Sequence, residues 1–193
     1  MSRFPPIYVL RHGQTRWNAE GRLQGHANSP LTEAGRAQAL RQAALLAEFD
    51  LAEYEIRVSP QGRAFETAAI ALGARASRLV TDDRLMEIDI GVWTGRRRVD
   101  LDIGTFEQGP HVPDGDLAFY EAAPDGEGFA ALRSRCETFL ISLHRPTICV
   151  THGITSRMLR ATAMGLPGAA LGDLPGGQGV IHVVADRAHR TLA

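Results

Sequence analysis

The chain predicts an α/β fold with a mostly parallel sheet, and three observations lead there. Short apolar runs, Ile7-Tyr8-Val9-Leu10 and Thr147-Ile148-Cys149-Val150, read as buried strands. Between them lie longer stretches whose apolar residues recur at helical spacing. Three strand ends also deliver basic side chains: Arg11-His12-Gly13-Gln14, Ser59-Pro60-Gln61-Gly62-Arg63 after Glu55-Ile56-Arg57-Val58, and Thr151-His152-Gly153. Alternating strands and helices argue for this architecture. In open sheets of this kind, ligands bind outside the carboxyl ends of the strands.

The elements follow in order. The first helix should open at Leu31-Thr32-Glu33, with Thr32 as N-cap and Glu33 at the positive helix end. Ala37, Leu40, Ala44 and Ala47 then fall at helical spacing, and the helix fades near Phe49-Asp50. A second helix is expected with Ser59 as N-cap and Pro60 at its first position. It runs through Ile70 towards Gly73 and places Arg63 in its first turn. A third covers Phe129 to Leu143, with Phe129, Leu132, Cys136, Phe139, Leu140 and Leu143 as its apolar stripe. A fourth runs from about Ile154 to Met164, stopped by Gly165 and Pro167, and Gly179 to Val184 reads as a late strand. The stretch 96–128 is rich in Gly, Pro and acidic residues and reads as a loop or lid with one short helix at most. Residues 1–193 are expected to form a single domain.

Bulk composition excludes several classes. With 21 basic and 22 acidic side chains the net charge is -1, which gives no electrostatic case for nucleic acid or an anionic membrane. No apolar stretch approaches the ~20 residues of a membrane span. The first ten residues lack the apolar core of ~7–15 residues that a secretory signal needs. Two cysteines, Cys136 and Cys149, are too few for a disulfide framework and lack metal-ligand spacing. A cytoplasmic protein is the expectation. No histidine pair shows ligand spacing on a helix, so no metal is expected.

The residues at the strand ends suit phosphoryl chemistry. Arg11 and Arg63 can grip phosphate oxygens with paired N–H donors, and the helix starts after Ser59 and Gly153 add backbone donors. A neutral imidazole can attack phosphorus, and His12 is the candidate nucleophile. Neighbouring arginines disfavour its charged form. His152 would donate to the equatorial oxygens as charge develops. Glu87, in Leu85-Met86-Glu87-Ile88-Asp89-Ile90-Gly91-Val92-Trp93-Thr94-Gly95, is the candidate proton donor, with Asp89 as rival. Substrate charge and burial between apolar neighbours are expected to favour the protonated Glu87. His26, His111, His144, His182 and His189 read as ordinary surface or core residues. Trp17 and Trp93 read equally well as pocket mouth or as packing under a loop. The run Arg96-Arg97-Arg98 reads as a solvated cluster, with binding of a second anionic group of the substrate as the alternative.

Taken together, these motifs resemble the histidine phosphatase superfamily, the group of the cofactor-dependent phosphoglycerate mutases and related small phosphatases. The resemblance begins at Arg11-His12-Gly13-Gln14-Thr15-Arg16-Trp17-Asn18 and Gly21-Arg22-Leu23-Gln24-Gly25. It continues through Pro30-Leu31-Thr32-Glu33-Ala34-Gly35, Ser59 with Arg63-Ala64 and Thr67-Ala68, Leu85 to Gly95, and Thr151-His152-Gly153-Ile154. It implies a three-layer α/β/α sandwich with a mixed sheet. It implies His12 as phosphoryl acceptor, Arg11, Arg63 and His152 as the phosphate pocket, Glu87 as proton donor, and Asn18 and Gln24 near the substrate. No metal or dissociable organic cofactor is implied for the phosphatase branch. Small phosphatases of the family often carry Gly-Glu-Ser before the third helix, where this chain has Gly126-Glu127-Gly128.

The leading expectation is a phosphomonoesterase acting on a small-molecule phosphomonoester through phosphohistidine. The alternatives are a phosphoglycerate mutase, usually a longer chain, and a non-catalytic phospholigand-binding module. The physiological substrate, a homodimeric state and closure of 96–128 over the substrate are left open.

Overall fold

The computed structural model describes residues 3–101 and 117–193. Its centre is a six-stranded sheet built from β1 (Ile7–Arg11), β2 (Glu55–Val58), β3 (Val80–Thr81), β4 (Thr147–Thr151), β5 (Ile181–Ala185) and β6 (Ala188–Leu192). The strand order is β3-β2-β4-β1-β5-β6. The pairs β2–β3, β2–β4 and β1–β4 are parallel, while β1–β5 and β5–β6 are antiparallel. The sheet is therefore mixed, as expected.

Alternation along the strands splits the apolar residues between two cores. On one face Ile7, Val9 and Cys149 pack with Leu132, Cys136, Phe139 and Leu140 of α4 (Gly128–Ile141) and with Ile154, Met158 and Leu159 of α5 (Gly153–Met164). On the other, Tyr8, Leu10, Ile148 and Val150 pack with Leu46 of α2 (Glu33–Ala47) and Ala64, Ala68, Ala71 and Leu72 of α3 (Gly62–Leu72). Helices on both faces of one sheet make the three-layer sandwich. A short helix, α1 (Arg16–Ala19), follows β1.

Two helix assignments need correction. Thr32 does cap α2, its hydroxyl accepting from the Gly35 N–H at 3.1 Å. The buried stripe is Gly35, Ala39, Gln42 and Leu46, however, and Leu40 is 60% exposed. The reason is Gln42, whose buried carboxamide donates to the Arg11 and Val180 carbonyls and turns that side of α2 to the sheet. Helix α3 starts at Gly62 with Gln61 as N-cap, so Ser59 does not cap it. The Ser59 hydroxyl serves His152 instead.

Two strands were not expected. β3 is two residues long, too short to show a pattern. β6 pairs with β5 through a turn at Asp186 and Arg187, both with φ in the left-handed region (49° and 63°). That geometry usually announces itself through Asn-Gly or Asp-Gly, and this pair carries no glycine. The lid assigned to 96–128 falls in large part on 102–116, outside the described residues, as does His111. Its described flanks hold 3-10 turns at Arg98–Asp100 and Leu117–Ala122.

Candidate active site

Strands β2, β4 and β1 lie side by side, and their ends are level. Val58 pairs with Val150, and Arg11 with Thr151. The His12 N–H continues the ladder to the Thr151 carbonyl, and the Ser59 N–H to that of Val150, each at 2.9 Å. The residues that follow, His12, Ser59 and His152, therefore meet at one rim.

The His12 ring is buried, and its Nδ1 lies 2.7 Å from the Gly13 carbonyl. A carbonyl only accepts, so Nδ1 carries the ring proton and Nε2 keeps its lone pair. Burial, then the charges of Arg63 and Arg11, hold the ring's affinity for a second proton well below the ordinary histidine range. The main chain that holds this ring is fixed in turn. The Gly13 N–H donates to the Thr67 hydroxyl. A Cβ on Gly13 would lie 2.2 Å from the Gly35 carbonyl oxygen, so only glycine admits the approach of α2.

The two histidine rings sit 5.2 Å apart, tilted by 57°. Nε2 of His152 lies 2.8 Å from the Ser59 hydroxyl, and Nδ1 is buried with no partner among the described residues. Burial, Arg63 and His12 lower its proton affinity as well. His152 thus has one nitrogen committed to the scaffold and the other unspent.

Arg63 is 1% exposed. Its Nη2 donates to the Gly25 carbonyl at 2.9 Å, its Nη1 to the Ala27 carbonyl at 2.6 Å, and its backbone N–H to the Asn28 side chain. Desolvation lowers its pKa to about 10, which still leaves it charged at neutral pH. It is held by carbonyl dipoles, with no carboxylate within ion-pair range among the described residues, so its charge is available to an incoming anion. Arg11 ends β1 and lies against the start of α5. A Cβ on Gly153 would sit 3.3 Å from its guanidinium carbon.

Glu87 is housed differently from the expectation. Its Oε1 accepts from the Ile88 and Thr155 N–H groups and the Thr155 hydroxyl, each at 3.0 Å, and Oε2 accepts from the Ile154 N–H at 3.2 Å. The carboxylate is ringed by donors at the positive end of α5 and not by apolar neighbours. Its main chain is pinned on both sides: the N–H donates to the Gln61 side chain, and the carbonyl accepts from Arg135 and His26. The rival, Asp89, turns back on its own loop, where Oδ1 accepts from the Gly91 N–H.

The remaining positions divide. Asn18 completes a capping box on α1 with Thr15, and its Oδ1 lies 3.5 Å from Nε2 of Gln178, which donates to the His12 carbonyl. Gln24 is buried in the loop that grips Arg63, with Oε1 lacking a partner among the described residues. Trp93 packs on Phe119 inside the core and does not form a mouth. In the basic run, Arg97 pairs with Asp100 and Arg98 covers the Phe119 ring at 4.2 Å. Glu127 pairs with Arg135 at 2.7 Å and accepts from the Asp89 N–H, so it anchors the Glu87 loop without a neighbouring serine. Gln61, Arg135, His26 and Gln178 were missed as site neighbours. Each acts through a bond to main chain far away in sequence, which leaves no local pattern.

A model of the histidine phosphatase superfamily (branch 1) matches residues 7–191. The chain belongs to that superfamily. It is an enzyme of the histidine phosphatase type. Among its relatives, the probable phosphoglycerate mutase GpmB of Enterobacter sp. (strain 638) is 37% identical over 176 residues, which cover 85% of this chain and 77% of that one. A solved mycobacterial glucosyl-3-phosphoglycerate phosphatase, in complex with VO3, superposes with a TM-score of 0.78 at 27% identity, covering 97% of this chain and 96% of the other. The α-ribazole phosphatase of Shigella flexneri gives 0.77 at 26% identity, covering 97% and 95%.

Proposed function

We propose that the chain is a phosphomonoesterase that works in two steps through phosphohistidine on His12. The observation that carries this reading is the bond from His12 Nδ1 to the Gly13 carbonyl, which leaves Nε2 as a lone-pair nucleophile beside two arginines. In the first step Nε2 attacks phosphorus, the bond to the ester oxygen breaks, and Glu87, whose protonated form the substrate's negative charge favours, gives that oxygen its proton. In the second, water attacks phosphorus while Glu87, now a carboxylate, takes the water's proton. The P–N bond breaks, its electrons return to Nε2, and inorganic phosphate leaves. Arg11, Arg63 and the unspent Nδ1 of His152 stabilise the equatorial oxygens throughout. Asn18, Gln24 and the Gly153 N–H complete the substrate surface. The free, buried thiols of Cys136 and Cys149 suit a cytoplasmic setting.

Glu87→Gln tests the acid. A nitrophenolate leaves without help and an alkoxide does not, so alkyl phosphate turnover should fall about 100-fold while p-nitrophenyl phosphate falls far less. Equal losses on both would remove Glu87 from that role. Arg63→Lys tests the grip. An ammonium cannot reproduce the fork that spans Gly25, Ala27 and an anion, so kcat/KM for p-nitrophenyl phosphate should drop about 100-fold. Near-native kcat/KM would show that charge alone suffices.

The mutase reading draws on the similarity to GpmB. Incubation with 3-phosphoglycerate separates the two: phosphate release supports hydrolysis, and isomerisation without release supports the mutase.

A further inference from the structure

Gln61 precedes the phosphate-gripping helix and belongs to none of the roles above. The residue is 7% exposed. Nε2 donates to the Gly25 carbonyl at 2.8 Å, and Oε1 accepts from the Glu87 N–H at 2.7 Å. The Gly25 carbonyl also accepts from Nη2 of Arg63. One unbroken chain of hydrogen bonds therefore runs from the Arg63 guanidinium through Gly25 and Gln61 to the Glu87 peptide.

We propose that Gln61 is a positioning residue, a carboxamide strut that sets the separation between the Arg63 grip and the Glu87 carboxyl group. This rests on the reading of Glu87 as the acid. A phosphomonoester's leaving oxygen is one bond from its phosphorus, so the group that holds the phosphoryl oxygens and the group that protonates the leaving oxygen must keep a fixed spacing. A carboxamide of this length meets both partners: Gly25 offers an acceptor and Glu87 a donor. An apolar side chain serves neither, and a carboxylate cannot donate to Gly25. The loops around the strut are already in contact, since a Cβ on Gly25 (φ +48°) would lie 2.6 Å from the Ile90 side chain. Arg135 and His26 hold the next peptide, through the Glu87 carbonyl. Removing Gln61 leaves the Glu87 N–H without its acceptor, while the Gly25 carbonyl keeps the Arg63 donor.

The test is first-turnover alcohol release, with enzyme in excess, from p-nitrophenyl phosphate and glycerol 2-phosphate. Gln61→Met keeps the length and loses both bonds. Gln61→Asn keeps the chemistry, cannot span the gap, and reports even where the apolar variant fails to fold. Both should slow the glycerol ester about ten-fold and the nitrophenyl ester less than about three-fold. Inhibition by inorganic phosphate should stay within about two-fold of wild type, because Arg63 keeps both carbonyls. A merely structural residue would slow both esters alike, and that result, or no slowing of either, overturns the proposal. Glu87→Gln runs beside them. If it discriminates between the esters and the Gln61 variants do not, this inference alone fails. If it does not, the acid assignment fails and this inference falls with it.

Discussion

His12→Ala is expected to abolish turnover of p-nitrophenyl phosphate, with a loss on the order of 10⁴-fold or more, the scale seen when a covalent nucleophile is deleted. Phosphoryl transfer from a labelled substrate to the protein should vanish with it. The geometry makes the loss specific. No other described side chain combines a fixed tautomer with a neutral ring beside Arg11 and Arg63. His152, the nearest imidazole, spends Nε2 on Ser59. The variant should stay folded, because the Gly13 N–H keeps its bond to Thr67 and the β1 ladder is main chain. Free imidazole added to His12→Ala should restore part of the lost rate by occupying the emptied ring position. Near-native turnover in the variant would sink the phosphohistidine mechanism.

The second large effect is on stability and follows from three buried rings. His12, His152 and His182 are each at most 2% exposed. Desolvation is the leading cause that lowers the pKa of all three below 6.5, and His182, next to Arg160 and His189, is lowered to about 3. The unfolded chain therefore binds more protons than the native one below pH 6.5. Stability is full above that value and is lost as pH falls through it. Between pH 6.5 and 5.5 each ring should remove about 1 kcal/mol, or about 3 kcal/mol together. For a chain of this size that is a drop of about 6–12 °C in Tm. Melts at pH 7.5, 6.5 and 5.5 measure it. A His182→Gln variant, which leaves the active site alone, should shallow the slope by about a third. A Tm that stays level from 6.5 to 5.5 would show that these rings protonate in the native state.

Strands β1 and β4 and helix α4 were legible in the sequence because burial on one or both sides imposes a period on local residues. The positions of His12, Arg63 and His152 were legible for a related reason: strand ends and helix starts are local signals. What escaped depended on partners distant in sequence. Helix α2 was assigned the wrong face because a buried glutamine, not an alanine stripe, points to the sheet. Ser59 looked like a cap because Ser-Pro usually is one, and only the approach of β4 offers its hydroxyl to His152. Glu87 was given the wrong surroundings, since its donors come from residues 154 and 155 as well as from its own loop. The β5–β6 hairpin lacked its usual glycine.

The bond that aims His12 has a genetic consequence. Its acceptor is a main-chain oxygen, and every amino acid supplies one. No missense change at position 13 deletes it chemically; such a change acts only by displacing the backbone, where the tight approach of Gly35 punishes it. Selection therefore has two separate handles on this enzyme. The side chains lining the substrate answer directly to substitution, whereas the direction of the imidazole answers only to changes that move the backbone around Gly13 and Gly35.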